Sequence, residues 1–228
     1  MIKAVVFDLD HTLFDRYETI KKVASRLHFH FKLNPKFTLS EIAEIMIKTD
    51  KNNVHIGWNN IQEEIIKKNI ILDELGPDEY RNAIMSEFMN IAVPFEFTIP
   101  MLKTLRNGGY KTALITNGNP KLQNSKIDML KIRELFDYIY IGGEHPLAKP
   151  HIEPFLETAK ALGVSPSQCA YVGDNPINDI DASRKAGYLP IHINTTENWL
   201  FPEIEKPHFS VKTVEVIPEL IDKINREF

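Results

Sequence analysis

The part of the chain after Pro94 alternates short apolar runs with segments of helical period. The apolar runs lie at residues 110–116, 136–143, 169–173 and 189–194, and a similar run at 2–7 opens the chain. Each later run is followed along the chain by a segment in which apolar residues recur every three or four positions. Strands that alternate with helices in this way form parallel sheets through right-handed crossovers. We therefore predict an α/β fold with a doubly wound parallel sheet.

A different pattern separates the first strand from the rest of this sheet. Four segments of helical period follow one another, with no strand-like run among them. We predict that residues 16–93 form an inserted helical-bundle domain, and that residues 1–15 and 94–228 form the α/β core domain. Asp78 is predicted to cap the fourth helix of the insertion. The least regular segment, 195–209, is predicted to be a loop.

Composition excludes several classes of protein. The chain has 228 residues, of which 43% are hydrophobic and 25% charged, and its formal net charge is −4, so it lacks the basic surface typical of nucleic-acid binding. The only cysteine is Cys169, which cannot form an internal disulfide and is predicted to pack in the core. No apolar run reaches the roughly 20 residues that a membrane helix needs. These features predict a soluble cytoplasmic protein that binds neither nucleic acid nor a membrane, and they leave the oligomeric state open.

Polar residues follow four of the predicted strands at the points where the strands end. In open parallel sheets, ligands bind at the carboxyl ends of the strands. The four strand ends therefore bring to one edge of the sheet a set of carboxylates, hydroxyl and amide groups and one lysine: Asp8, Asp10 and Thr12; Thr116, Asn117 and Gly118; Lys149; and Asp174, Asn175, Asn178 and Asp179.

This set of side chains has the chemistry of a magnesium and phosphate site. Crowded carboxylates repel one another unless a cation offsets their charge, and oxygen ligands suit a hard cation such as Mg²⁺. Hydroxyl, amide and ammonium donors suit the oxygens of a phosphate group. Each motif alone also has a plain structural explanation, since aspartates cap helices, Asn-Gly forms turns and a lone lysine is solvated. Those explanations do not account for the fact that all four strand ends supply side chains suited to one magnesium and phosphate site.

The motifs in this order resemble those of the haloacid dehalogenase superfamily of hydrolases, in its phosphatase branch. The sequence DLDHT at 8–12 matches the first motif, and ALITNG at 113–118 matches the second, which ends its strand with Thr116. Lys149-Pro150 matches the third, and GDNPIND at 173–179 matches the fourth. The matches extend over residues 4–187. The inserted helices resemble the small helical cap domain of this family.

The resemblance implies a role for each matched residue. Asp8 would be the nucleophile that forms an aspartyl phosphate, and Asp10 would be the general acid and then the general base. Asp8, Asp174, Asp179 and Asp10, the last through its backbone carbonyl, would hold Mg²⁺, with Asp179 acting directly or through a bound water. Thr116 and Asn117 would bind the phosphoryl oxygens, and Lys149 would neutralise charge at the nucleophile and the phosphoryl group.

Several activities of this family remain to be distinguished. The dehalogenase branch has a similar cap but lacks the second aspartate of the first motif, so Asp10 favours a phosphatase. Phosphomutases share both aspartates and stay as an alternative. A further alternative is a non-catalytic helical interaction module with a vestigial site.

The inserted helices are expected to select the substrate, predicted to be a small phosphorylated metabolite. Arg16 and Tyr17 follow the first motif directly, and His55 and Trp58 lie in a break between two predicted helices. The Trp58 ring could stack on a base or a sugar. Packing of Trp58 within the bundle is the alternative explanation.

Overall fold

The computed structural model describes residues 1–52, 59–74, 76–91, 93–194, 199 and 201–227. The chain divides into two compact units. One comprises Met1–Phe14 with Pro94–Phe228, and the other comprises Asp15–Val93. The roles of core and cap, assigned from the sequence, stay predictions.

The first unit is built on a single sheet of six parallel strands. In chain order the strands are β1 Ala4–Phe7, β2 Lys111–Thr116, β3 Tyr138–Ile141, β4 Cys169–Gly173, β5 Leu189–Ile193 and β6 Phe209–Val211. Their order across the sheet is β3-β2-β1-β4-β5-β6. The central strand β1 is buried along its whole length, as expected for a parallel strand covered on both faces. The predicted doubly wound α/β fold is confirmed.

The second unit consists of helices. They are α1 Arg16–Arg26, α2 Leu39–Asn52, α3 Asn59–Lys67 and α4 Pro77–Asn90. Helix α1 begins where the Asp15 carboxylate accepts a hydrogen bond from the backbone N–H of Glu18 at 2.8 Å, which satisfies one free donor of the first turn. The backbone N–H of Asp15 also donates to the carbonyl of Val93 at 2.9 Å, so the two ends of this unit are joined.

Among the described residues of the first unit, five α-helices accompany the sheet. They are α5 Thr98–Asn107, α6 Pro120–Met129, α7 Glu153–Leu162, α8 Ala182–Lys185 and α9 Ile217–Glu227. Helix α6 begins at Pro120, and the Asn119 side chain accepts from the N–H of Leu122 at 3.3 Å. Helix α7 ends at Gly163, whose φ of 69° is a conformation that glycine adopts without a steric penalty. Cys169 is buried in the core of this unit, as predicted.

Three local predictions differ from the structure. The segment 195–209 was expected to be a loop, but its last residue, Phe209, begins β6, a strand of three residues with little apolar pattern of its own. The segment after the apolar run at 169–173 was predicted to be helical, but in the structure it starts with a π-helical stretch at Pro176–Asp181 before α8. Asp78 does not cap α4, because the helix already begins at Pro77 and Asp78 lies in its first turn.

Within the described ranges, none of the helices combines the length and the apolar character needed to cross a membrane.

Candidate active site

The first part of the site is a tight turn at the end of β1. Asp8 directly follows the strand and is buried. The N–H of Leu13 donates to the carbonyl of Leu9 at 2.9 Å, and His11 between them has a φ of 64°. This left-handed conformation is uncommon outside glycine, although histidine adopts it more readily than most residues. The turn keeps Asp8 and Asp10 beside each other at the carboxyl edge of the sheet.

Lys149 lies at the centre of the buried polar groups. Its ammonium donates to Asp8 Oδ1 at 2.7 Å, to Asp179 Oδ1 at 2.6 Å and to the Tyr171 hydroxyl at 2.8 Å. The Tyr171 hydroxyl in turn donates to the backbone carbonyl of Ile115 at 3.1 Å. Burial alone would lower the pKa of Lys149, but the charges of Asp179 and Asp8 outweigh burial and raise this pKa. Lys149 is therefore held as a cation that links the ends of β1 and β4.

Asp179 fits against a glycine at the end of β4. A Cβ atom on Gly173 would lie 2.5 Å from the Asp179 carboxyl carbon, so only glycine leaves space for this carboxylate. The N–H of Asn175 donates to Asp179 Oδ2 at 2.9 Å. Asp179 lies in the π-helical stretch, and such stretches are frequent at functional sites because they shift a side chain relative to a regular helix.

Three carboxylates converge at this position. Asp8, Asp174 and Asp179 can each present an oxygen within 4.8 Å of the others. Burial raises the pKa of Asp8 to about 7, although the Lys149 ammonium opposes the shift. Burial, followed by the charges of Asp179 and Asp8, raises the pKa of Asp174 well above its ordinary range. The single positive charge of Lys149 therefore does not balance the three carboxyl groups. Three carboxylates, which offer only oxygen ligands, could hold a hard divalent cation.

The loop after β2 joins this cluster to the third motif. The Asn117 side chain donates to the carbonyl of Lys149 at 2.7 Å and accepts from the N–H of Lys149 at 3.0 Å. Thr116 is buried, and its hydroxyl oxygen accepts from Gln123 Nε2 at 2.5 Å. The amide of Asn117 therefore fixes the backbone that carries the central lysine.

Two further residues of α6 belong to the same network. The Lys126 ammonium donates to both carboxylate oxygens of Asp10 at 2.8 Å, and Gln123 Nε2 donates to Asp10 Oδ2 at 3.1 Å. Sequence analysis missed both residues. A signal was present, because Gln123 and Lys126 share the spacing of the buried Ile127 and Leu130, where apolar side chains are expected.

Comparison with known proteins identifies the group to which this arrangement belongs. The family model of haloacid dehalogenase-like hydrolases matches residues 5–192, which include all four strand ends of the site. The chain belongs to the haloacid dehalogenase-like hydrolases. The family predicted from the motifs is confirmed.

Individual members of the family are similar over nearly the whole chain. The glyceraldehyde 3-phosphate phosphatase of Methanocaldococcus jannaschii is 28% identical over 97% of this chain and 96% of its own length. The L-2-haloacid dehalogenase of Xanthobacter autotrophicus has the same fold, with a TM-score of 0.71 and 20% identity over 97% of this chain and 99% of its own. The hydrolase YfnB of Bacillus subtilis, solved bound to magnesium, has a TM-score of 0.76 and 16% identity over 97% and 99% of the two chains.

In this haloacid dehalogenase-like hydrolase, the structure brings together the predicted residues of the α/β unit. They are Asp8, Asp10, Thr116, Asn117, Lys149, Asp174 and Asp179. The roles assigned to them from the sequence stay predictions.

The predicted specificity residues belong to the helical unit, and two of them are described. Arg16 is buried and paired with Asp50 through Nε and Nη2, with the shortest contact at 2.7 Å. The Lys51 ammonium lies 4.8 Å from the centre of the Tyr17 ring. These contacts give Arg16 and Tyr17 partners within the helical unit. His55 and Trp58 lie outside the described residues.

Proposed function

We propose that this hydrolase is a Mg²⁺-dependent phosphatase that cleaves small phosphate monoesters through an aspartyl-phosphate intermediate. The observation that carries the proposal is the pair of carboxylates at the end of β1. Asp8 contacts the central lysine and takes part in the acidic triad, whereas the Asp10 carboxylate accepts hydrogen bonds from Lys126 and Gln123. Two neighbouring carboxylates in such different environments suit two different roles, nucleophile and general acid–base.

In the first half-reaction, a carboxylate oxygen of Asp8 would attack phosphorus. The new bond joins Asp8 to the phosphoryl group, and the bond between phosphorus and the ester oxygen breaks. Asp10 would give a proton to that oxygen, so the product leaves as an alcohol. Lys149 would offset the negative charge that Asp8 shares with the incoming phosphoryl group.

In the second half-reaction, water would attack the phosphorus of the aspartyl phosphate. Asp10, now ionised, would take a proton from this water. The bond between phosphorus and Asp8 breaks, and Asp8 leaves with the bonding electrons as a carboxylate. Inorganic phosphate is released, and both aspartates return to their starting states. Positioning supplies much of the acceleration in such phosphoryl transfers.

Binding of the phosphoryl group would use the loop after β2. The Thr116 hydroxyl and the backbone N–H of Asn117 would donate to the phosphoryl oxygens. Asp8, Asp174, Asp179 and the backbone carbonyl of Asp10 would hold Mg²⁺, with Asp179 acting directly or through water. The cation would supply positive charge that stabilises the phosphoryl oxygens as the bonds rearrange. The crowded, incompletely neutralised acids of the triad support this assignment.

The substrate would be a small phosphorylated metabolite. The relative from Methanocaldococcus jannaschii is named for its action on glyceraldehyde 3-phosphate, which is a molecule of this class. The helical unit would act as the cap that selects the substrate. Tyr17 and Trp58 offer aromatic surface for this purpose, and His55 and Arg16 offer polar groups, although the ion pair with Asp50 also gives Arg16 a structural role.

The test is phosphate release from a panel of phosphate monoesters, including glyceraldehyde 3-phosphate, with and without Mg²⁺. We expect Mg²⁺-dependent release by the wild type and none by Asp8→Asn. Asp128→Asn, which changes an exposed carboxylate of the same unit, is the matched control and should keep the wild-type rate. Conversion of a substrate to its isomer without phosphate release would indicate a phosphomutase. Absence of both reactions would favour the non-catalytic interaction module.

A further inference from the structure

We propose that Lys126 is a positioning residue that clamps the Asp10 carboxylate in the orientation needed for catalysis. The proposal rests on the proposed function in one respect, namely that Asp10 is the general acid–base. The clamp belongs to α6, the helix that follows the second motif. None of the four sequence motifs includes a residue of this helix.

The contacts of Lys126 are those of a clamp. Its ammonium lies 2.8 Å from both oxygens of Asp10, so the contact holds the two oxygens at equal distance from one charge. Gln123 donates to Oδ2 of the same carboxylate at 3.1 Å, one helical turn away. The ammonium also lies 5.2 Å from the centre of the Phe14 ring, within the range of a cation–π contact. Asp10 is therefore held by two donors from one rigid helix.

Lys126 and Asp10 differ in solvent exposure, and this difference favours a role for the pair in catalysis. The Lys126 side chain is 2% exposed, whereas the Asp10 side chain is 25% exposed. The anchoring side of the carboxylate is thus enclosed, and another side stays accessible to a reacting molecule. A buried ion pair of this kind adds little stability over apolar residues of similar size, because removing the charges from water is costly. Stability alone does not explain a lysine at this position.

The clamp would matter in both half-reactions of an alkyl phosphate, and for a leaving group that needs no proton it would matter when Asp10 acts on water. In that step, a proton passes from water to the Asp10 carboxylate as the water oxygen bonds to phosphorus and the Asp8 carboxylate leaves. Displacing a reacting group by about 1 Å can lower a rate about 100-fold. Loss of the clamp should therefore slow the hydrolysis of the aspartyl phosphate while leaving the binding of substrate nearly unchanged.

The experiment compares Lys126→Met with the wild type on p-nitrophenyl phosphate and on the best alkyl phosphate of the panel. p-Nitrophenolate leaves without needing a proton, so the first half-reaction should survive in the variant. On p-nitrophenyl phosphate we expect kcat to fall about 100-fold and KM to fall in parallel, so that kcat/KM stays nearly unchanged, because only the second half-reaction is slowed. Rapid mixing with p-nitrophenyl phosphate should show a burst of one p-nitrophenolate per enzyme, because the aspartyl phosphate accumulates. The alkyl phosphate, which needs the proton, should show no burst and a larger loss of rate.

Controls separate this role from a structural one. Lys121→Met removes an exposed lysine of the same helix and should retain the wild-type rate without a burst. Lys126→Gln keeps a polar donor and loses the charge, and it replaces Lys126→Met if that variant does not fold. A folded variant with wild-type kcat, or with equal losses on both substrates and no burst, would overturn the proposal.

A crystal structure of the variant distinguishes failure of this proposal from failure of the proposed function. A wild type that releases no phosphate from any monoester would refute the phosphatase assignment alone. In that case, an Asp10 carboxylate that moves in Lys126→Met would still support the clamp. A carboxylate that stays in place would refute it.

Discussion

The Asn117 side chain holds the Lys149 backbone by two hydrogen bonds, donating to its carbonyl at 2.7 Å and accepting from its N–H at 3.0 Å. These bonds connect the loops that follow β2 and β3. This pair of hydrogen bonds resembles those between neighbouring parallel strands, although it lies beyond the last residues of β2 and β3. An amide is required at position 117 because the contact needs one donor and one acceptor in the same side chain.

Replacement of Asn117 should therefore affect both stability and turnover. Asn117→Ala leaves the N–H and carbonyl of Lys149 without their partner, which should lower the free energy of unfolding by about 1–3 kcal/mol. The rate of phosphate release should fall as well, because Lys149 loses its support. Urea unfolding and steady-state kinetics measure the two effects. Asn124→Ala, at an amide of α6 that contacts Pro120, Glu144 and Arg133 but not Lys149, is the control and should lower the rate of phosphate release much less.

The hydroxyl of Tyr171 should contribute to catalysis through Lys149. Tyr171→Phe removes the acceptor at 2.8 Å from the ammonium, and we expect kcat to fall roughly tenfold, equivalent to about 1.4 kcal/mol. Tyr188→Phe is a matched control, because its buried hydroxyl donates to the carbonyl of Phe155 at 2.7 Å, away from the acidic triad. Both variants should lose similar stability in thermal unfolding. Equal kinetic effects in the two variants would contradict a role for Tyr171 in the site.

The acidic triad should make stability depend on pH and on Mg²⁺. Burial raises the pKa of Asp8 to about 7, so below that pH the folded state keeps a proton that the unfolded chain loses near pH 4. The unfolded state then binds fewer protons, and the free energy of unfolding should fall as the pH rises between these values. Asp174, whose pKa is also raised, acts in the same direction.

Thermal unfolding between pH 5 and pH 8 tests this dependence. Metal binding requires ionised carboxylates, so Mg²⁺ should raise Tm more at pH 8 than at pH 5. Asp8→Asn, which cannot ionise at this position, should weaken both the pH dependence and the effect of Mg²⁺. Equal Mg²⁺ effects at the two pH values would show that the cation binds elsewhere.

The helical unit contains a buried ion pair whose loss should be costly. Arg16 contacts Asp50 through Nε at 3.0 Å and Nη2 at 2.7 Å, and both side chains are buried. Asp50→Asn would remove the negative charge from this buried contact, and we expect a loss of about 3–5 kcal/mol in urea unfolding. Glu64→Gln, in the more exposed pair with Lys68, should cost less than about 1 kcal/mol. A small effect of Asp50→Asn would favour a role for Arg16 in substrate binding alone.

The sequence predicted the sheet and the four strand ends because both follow from local patterns. The apolar runs are short and uninterrupted, and the carboxyl edge of a parallel sheet gathers whatever follows its strands. Strand β6 was not predicted, because its three residues have little pattern of their own. The strand is defined by its pairing with β5, which a local sequence pattern does not reveal. The π-helical stretch was not predicted, because its apolar spacing does not distinguish it from a regular helix and the close approach of Asp179 to Gly173 is seen only in the structure.

The motif residues of the candidate site were predicted from the sequence, whereas the polar residues at apolar positions of α6 gave a signal without a partner. The role of Lys126 and Gln123 depends on their distance to Asp10, and this distance is known only from the structure. Tyr171 resembles an ordinary core aromatic in the sequence, and the contacts of its hydroxyl with Lys149, Asp179 and Ile115 distinguish it in the structure. The left-handed conformation at His11 has no strong sequence signal, since histidine adopts it only occasionally.

The hydrogen bond between Asp15 and Val93 bears on how the chain reaches its folded state. Strands β1 and β2 are neighbours in the sheet, yet the whole helical unit separates them along the chain. Bringing together the ends of a long flexible segment costs entropy that increases with its length. Once the helical unit has formed, its joined ends shorten the flexible connection to a few residues. The inserted helices, which form through local contacts, would then hold the ends of β1 and β2 close together and speed the pairing of these two strands.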